Sequence, residues 1–187
     1  MNRKCLLYLM LIVTGLALLA SACGKSTNNK DTNPAGDIPD TQAFVAYRPA
    51  GGSFELKVPE GWSQATSGTT TEFTDKLNIV SVKSIPDAVE PTVERAKSVD
   101  VQDLTNSETG FHFVEAKQVT LPAGKAILIK YQKDSAPNEL TGKTYSMDVS
   151  LYEFYRNGLQ VNLMLASPVG ADNVDPWKII SESFKWL

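Results

Sequence analysis

Phe54-Glu55-Leu56-Lys57-Val58-Pro59-Glu60-Gly61-Trp62 is the stretch on which the reading of the fold turns. Phe54, Leu56 and Val58 alternate with Glu55 and Lys57 at period two, the pattern of a strand with one face in a core and the other in water. Pro59 removes the next ladder donor and Gly61 permits a sharp change of direction, so the strand stops there and Trp62 is expected to fold back over the core edge. Upstream, Phe44 to Tyr47 is β-prone, and Pro49-Ala50-Gly51-Gly52 is a turn that joins the two segments as a hairpin.

Downstream the same signals recur. Thr70 to Phe73 and Leu77 to Val82 read as strands joined by the polar turn Thr74-Asp75-Lys76. Between Pro86 and Asn106 the period lengthens: Val89, Val93, Ala96, Val99 or Asp100, and Leu104 recur every three to four residues, with Pro91-Thr92 as an initiating signal, which predicts a modest amphipathic helix. Phe111 to Val119 and Lys125 to Tyr131 return to strand character. In the second of these Ile127, Ile129 and Tyr131 face one way and Ala126 and Leu128 the other, so both faces should be covered.

Asp134 to Lys143 is a loop by composition. Tyr145, Met147, Val149 and Leu151 then alternate, while Tyr152 and Phe154 take the opposite parity, which requires either a bulge near Leu151 or a strand packed on both faces. Asn157-Gly158 is the strongest hairpin signal, with Val161, Leu163 and Leu165 on the returning strand. The chain is expected to end in a helix capped by Asp175, with Pro176 in its first turn and Trp177, Ile180, Phe184 and Leu187 on one face. The fold class is therefore α+β, an antiparallel β-sheet flanked by helices, with Trp62 and Trp177 expected to be buried at the two ends of its core.

The N-terminus carries an address. Arg3 and Lys4 precede an apolar run from Leu6 to Ala20 that is too short to span a bilayer, so residues 1–22 read as a secretory leader. Leu19-Ala20-Ser21-Ala22-Cys23 resembles the lipobox of bacterial lipoproteins, in which the cysteine is acylated and becomes the new N-terminus. An ordinary cleaved leader, fitted by Ala20-x-Ala22, would instead leave Cys23 an unpaired thiol. Residues 23–40 hold one large apolar residue, Ile38, and read as a lipidated cysteine followed by a flexible tether with a reach of roughly 20 to 25 Å. Residues 41–187 form the domain.

The formal net charge is −3, and loss of Arg3 and Lys4 with the leader makes it −5. An acidic exported domain is a poor partner for nucleic acid. Both cysteines, Cys5 and Cys23, lie in the address, so the domain has no disulfide and no thiolate to bind zinc or attack a substrate.

The motif Phe54-x-Leu56-x-Val58-Pro59-Glu60-Gly61-Trp62, with Asn173, Trp177 and Ser183-Phe184 near the other end, resembles the PsbP-like family, which includes DcrB-like and LpqN-like bacterial lipoproteins. The resemblance covers roughly Phe44 to Leu187. It implies an antiparallel sheet sandwiched between helices, an αβα sandwich, and proteins that bind or support partners. It assigns no functional residue.

Residue by residue, no catalytic constellation emerges. His112 is the sole histidine and alternates with Phe111 and Phe113, as a strand histidine does. Asp172, Asn173 and Asp175 lack the spacing of a calcium loop and are expected to cap a helix. Gly51-Gly52 is not followed by the Lys and Ser/Thr of a phosphate loop. No cofactor or metal is expected. Tyr131, Tyr145, Tyr152, Phe154 and Tyr155 cluster in the central strands, as core or as a possible binding surface. Glu55, Glu72, Glu115, Asp148 and Glu153 sit at positions that read mostly as solvent-facing, where nothing raises a carboxyl pKa.

The expected function is thus that of a non-enzymatic, membrane-anchored lipoprotein on the extracytoplasmic face of the cell membrane. Its expected partners are the membrane through the lipid at Cys23 and an envelope protein or small ligand. The alternative is an exported cell-envelope hydrolase using carboxylates. A two-lobed solute receptor would need a longer chain.

Overall fold

The structure is a computed structural model that describes residues 36–187; the leader, Cys23 and most of the 23–40 segment lie outside them. Within these residues the period-two stretch forms β2 (Phe54–Pro59), with Phe54, Leu56 and Val58 buried and Lys57 exposed. It pairs antiparallel with β1 (Phe44–Tyr47), Tyr47 opposite Leu56, through the expected hairpin.

Seven further strands make a second antiparallel sheet: β3 (Ser63–Ser67), β4 (Thr70–Asp75), β5 (Asn78–Ile85), β6 (His112–Leu121), β7 (Gly124–Asp134), β8 (Ser146–Arg156) and β9 (Leu159–Pro168), in the order β3-β4-β5-β9-β8-β7-β6. Two meanders meet where β9 pairs with β5, Leu165 opposite Val80. The β8–β9 turn places both Asn157 (φ 49°) and Gly158 (φ 82°) in the left-handed region, as a two-residue hairpin turn demands. The register of β8 on β9 runs unbroken from Met147 to Arg156, so the change of parity after Leu151 reflects packing on both faces. The bulge lies in β6 instead, at Val114. Strand β3 was not legible. Its five residues, Ser-Gln-Ala-Thr-Ser, are all exposed, and the strand exists because β4 offers it a ladder, not because it has an apolar face.

The connection from β5 to β6 carries α1, residues 93–107. Thr92 caps it by accepting the Arg95 N–H at 3.1 Å, and Val89, expected within the helix, stays outside and exposed. The final helix, α2 (Val174–Ser183), is shorter than the periodicity predicts. Ser183 Oγ accepts the Lys57 N–H at 2.7 Å and donates to the Ile180 carbonyl at 2.7 Å, which ties the helix end to β2. The chain then extends as β10 (Lys185–Trp186), placing Trp186 opposite Phe54 and leaving Leu187 outside any helix.

Two apolar layers result. One face of the long sheet packs against β2 and α2 through Phe73, Val80, Val82, Phe154, Leu163 and Leu165 on one side and Phe54, Leu56, Val58, Ile180 and Phe184 on the other. The opposite face, with Ile129, Tyr131, Met147, Val149 and Ala166, is covered by α1 through Ala96, Val93, Val101 and Leu104. Trp62 and Trp177 are half-buried at the rim of the first layer, not sunk in it as expected.

The end of the expected tether is also seated. Ile38 is buried, and the Asn173 side chain accepts the Ile38 N–H at 2.7 Å while its amide donates to the Gly36 carbonyl at 2.9 Å and to Asn78 Oδ1 at 3.1 Å. A Cβ on Gly36, at φ 100°, would sit 2.6 Å from the Pro168 ring. Asn173 occupies the N-cap position of α2 in place of Asp175, yet spends its side chain on this clamp and makes no capping bond.

Candidate functional site

The five aromatics singled out from the sequence do not share one surface. Tyr131 is buried on the α1 side, tilted against Phe111 at 5.3 Å, and burial pushes its hydroxyl far above the usual range. Tyr145 packs nearby, its hydroxyl donating to the Leu77 carbonyl at 3.4 Å and likewise raised by burial. Tyr152 and Phe154 lie on the other face, Phe154 stacked on Phe184 with centroids 4.0 Å apart. Tyr155 is half-buried beside a cleft at the Arg156 end of β8.

The carboxylates separate more sharply. Glu72 and Asp148 are exposed, and Glu115 meets Lys117 at 2.9 Å at the surface. Glu55 is held below the usual carboxylate range by hydrogen bonds from Lys185, at 2.7 Å, and then from Arg48. Glu153 departs from expectation. It is 2 % exposed, and its Oε2 has no hydrogen-bond partner among the described residues. Burial first, and the neighbouring Asp100 charge second, push its carboxyl up to about 7, against a smaller opposing effect from Arg95. The physical reason is strand parity: Glu153 shares its face with Met147, Val149 and Leu151, the face that α1 covers.

Above it α1 loses its regular winding. Residues Ala96–Asp100 form a π-helical turn in which the Val101 N–H reaches the Ala96 carbonyl five residues back, a distortion that recurs at functional sites. Asp100 sits in that turn with its own Oδ2 buried and unpartnered, and burial raises its carboxyl too. Arg95 approaches Asp100 at 4.0 Å with much of its side chain in solvent.

Glu153 forms part of the wall between two clefts. One, of about 500 Å³, is lined by Lys83, Arg95, Asp100, Asp103, Leu104 and Gln160. The other, of about 620 Å³, runs past Glu94, Lys125, Tyr155, Arg156 and Trp186. Two desolvated carboxyls with an unused oxygen each can hold a proton or receive a positive charge. Among the described residues no group of three or more His, Cys, Asp or Glu is placed to hold a metal. Cys23 lies outside the described residues, and His112 is an exposed residue of β6.

In fold the domain is similar to the cyanobacterial PsbP protein CyanoP of Synechocystis, with a TM-score of 0.55 at 14% identity over 83% of this chain and 100% of that one. It is also similar to the Ran-binding protein Mog1p of Saccharomyces cerevisiae, with a TM-score of 0.52 at 12% identity over 77% of this chain and 95% of that one. A point mutant of Mog1 gives 0.51 at 13% identity over 76% and 95%. No family model matches the sequence, and no curated protein matches it significantly. The domain thus has an α+β, PsbP-like fold, the architecture that the Phe54 to Trp62 motif implies.

Proposed function

We propose that this chain is a lipid-anchored accessory or binding protein, held through Cys23 on the extracytoplasmic face of a bacterial cell membrane. Its PsbP-like domain engages an envelope protein or a small ligand. The observation that carries the binding reading is Glu153: a carboxyl taken out of water and given no partner by the described chain is a group available to something outside it. The anchor rests on Leu19 to Cys23 behind a short apolar leader. Partner contact is in keeping with the fold, since Mog1p is a Ran-binding protein. Among the described residues no helix is long and apolar enough to cross a membrane; in this reading two or more acyl chains at Cys23 give the stable hold that a single chain does not. Mass spectrometry of the mature protein should find an acylated Cys23 at the N-terminus, and Cys23→Ser should release a folded domain from the membrane. An unmodified N-terminus in the natural chain would sink the anchor.

The alternative, an exported hydrolase using carboxylates, gains one specific observation, because a carboxyl at about 7 suits a general acid. Its burial stands against that role: Glu153 is 2 % exposed, which leaves little room beside it for the bulk of a sugar or peptide on both sides of a scissile bond. Purified protein should show no turnover of envelope polysaccharide or peptide. Turnover abolished by Glu153→Gln would establish the hydrolase instead.

A further inference from the structure

The smaller cleft has the chemistry of a receptor for one kind of ion. Asp100 and Glu153 each bring one buried oxygen with no partner among the described residues. The other charged groups of this cleft are Arg95 and Asp103 from α1, Lys83 from β5 and Asp87 just after β5, and the cleft on the other side of Glu153 adds Glu90, Glu94, Lys125 and Arg156. With all of them ionised, six acids against four bases leave an excess of negative charge. Gln160 donates its Nε2 to Asn162 Oδ1 at 2.7 Å and so keeps its carbonyl oxygen as an acceptor. Ile85, Leu104 and Leu151 complete the wall with apolar surface.

We infer that this cleft binds a small aliphatic primary ammonium, its head between Asp100 and Glu153 and its short tail against Leu104 and Leu151. An ammonium is a compact charge with three donors, which matches single oxygens offered from separate groups. A guanidinium prefers both oxygens of one carboxylate in a planar fork, whereas the two buried, unpartnered oxygens here belong to two different acids. Calcium takes six to eight oxygen ligands, and although four acids line the cleft, among the described residues no three His, Cys, Asp or Glu are placed together to hold a metal ion. Binding is coupled to proton release: the cation favours the charged form of Glu153, whose proton leaves to solvent, so affinity should rise as the pH rises through about 7.

This inference rests on the binding-protein reading, not on the anchor. The full chain in phosphatidylcholine nanodiscs would be titrated with butylammonium at about pH 6 and about pH 8, beside 1-butanol, butylguanidinium and calcium. The expected result is saturable 1:1 binding of butylammonium, tighter at the higher pH and weakened about tenfold or more in both Glu153→Gln and Asp100→Asn. Asp100 is partly exposed, so its variant tests the site even where Glu153→Gln perturbs folding. Equal binding of butanol, stronger binding of calcium or butylguanidinium, no saturable binding, or unchanged affinity in Asp100→Asn would overturn the inference. Competition from nanodiscs containing phosphatidylethanolamine would identify the amine as a lipid headgroup, and its absence a free amine. A negative titration with acylated Cys23 and a partner recovered from solubilised membranes would remove only the ligand class.

Discussion

The two faces of the long sheet are made by the same strands and differ in what covers them. On the face toward β2 and α2, Val161, Leu163, Leu165 and Phe154 are at most 1 % exposed, and Phe184 stacks between Phe54 and Phe154 with centroids at 5.3 and 4.0 Å. On the face toward α1 the cover is one distorted helix whose sole buried residue is Ala96, and beneath it lies an unpaired carboxyl. The first face spends its area on cohesion. The second keeps a polar end that burial makes unfavourable, the feature on which the proposed ligand site rests.

The largest effect should come from breaking the first face. Phe184→Ala removes the middle ring of the stack and leaves a cavity between α2 and the sheet, at a cost of about 3 to 5 kcal/mol. Leu104→Ala on α1 removes a half-buried side chain from the thinner cover and should cost under about 2 kcal/mol. Urea unfolding of both variants measures the difference, and equal losses would mean that α1 carries as much of the stability as the aromatic stack.

The second effect has the opposite sign. Glu153 ionises near its usual 4.5 in the unfolded chain but stays protonated to about 7 when folded. Between those values the native state holds the extra proton, so stability falls as pH rises through that window, by up to about 3 kcal/mol for this group. Glu153→Gln should flatten that part of the profile and gain most in Tm at about pH 8, with little change at about pH 4. A profile with the same slope as the natural chain would show that Glu153 is not desolvated as described.

Glu153 also marks where sequence reading went astray. The apolar alternation of β2, the Asn157-Gly158 turn and the doubly covered β7 were all legible, because each is a local pattern with a local cause. So was the information needed for Glu153, since it continues the parity of Met147, Val149 and Leu151 and must face the same way. The charge suggested solvent, and the parity decided otherwise. Asp100 was not legible as its partner, because the π-turn that aims it has no sequence signature comparable to a cap or a turn. The dispersal of the aromatics over both faces followed from parity as well, Tyr131 and Phe154 being bound to opposite layers once the register of β7 on β8 is fixed.

Third in size is the clamp on the N-terminal segment. Asn173 is 2 % exposed and makes three hydrogen bonds, two of them to the backbone of Gly36 and Ile38. Asn173→Ala strands those groups and should cost about 1 to 3 kcal/mol. It should also raise amide exchange at Ile38 before that of β8 and β9, since the local contact fails first. Uniform exchange across all three would show that the segment is not held through Asn173.

The smallest effect belongs to the most conspicuous ion pairs. Glu55 meets Lys185 across the β2–β10 ladder and Arg48 from the end of the hairpin, and both cations hold its carboxyl below the usual range. The two basic side chains are largely in solvent, so the attraction is spread through water and offset by the entropy of holding long chains in place. Because the folded pKa is lowered, any stability from Glu55 is present above its unfolded value and is lost as pH falls through the folded one. Glu55→Gln should therefore change Tm only slightly at neutral pH, and the difference should vanish in about 0.5 M salt, where screening reaches contact distances. A large, salt-resistant loss of Tm would mean that the β2–β10 pairing depends on this network, and that the face toward β2 and α2 owes its cohesion to charge as well as to the aromatic stack.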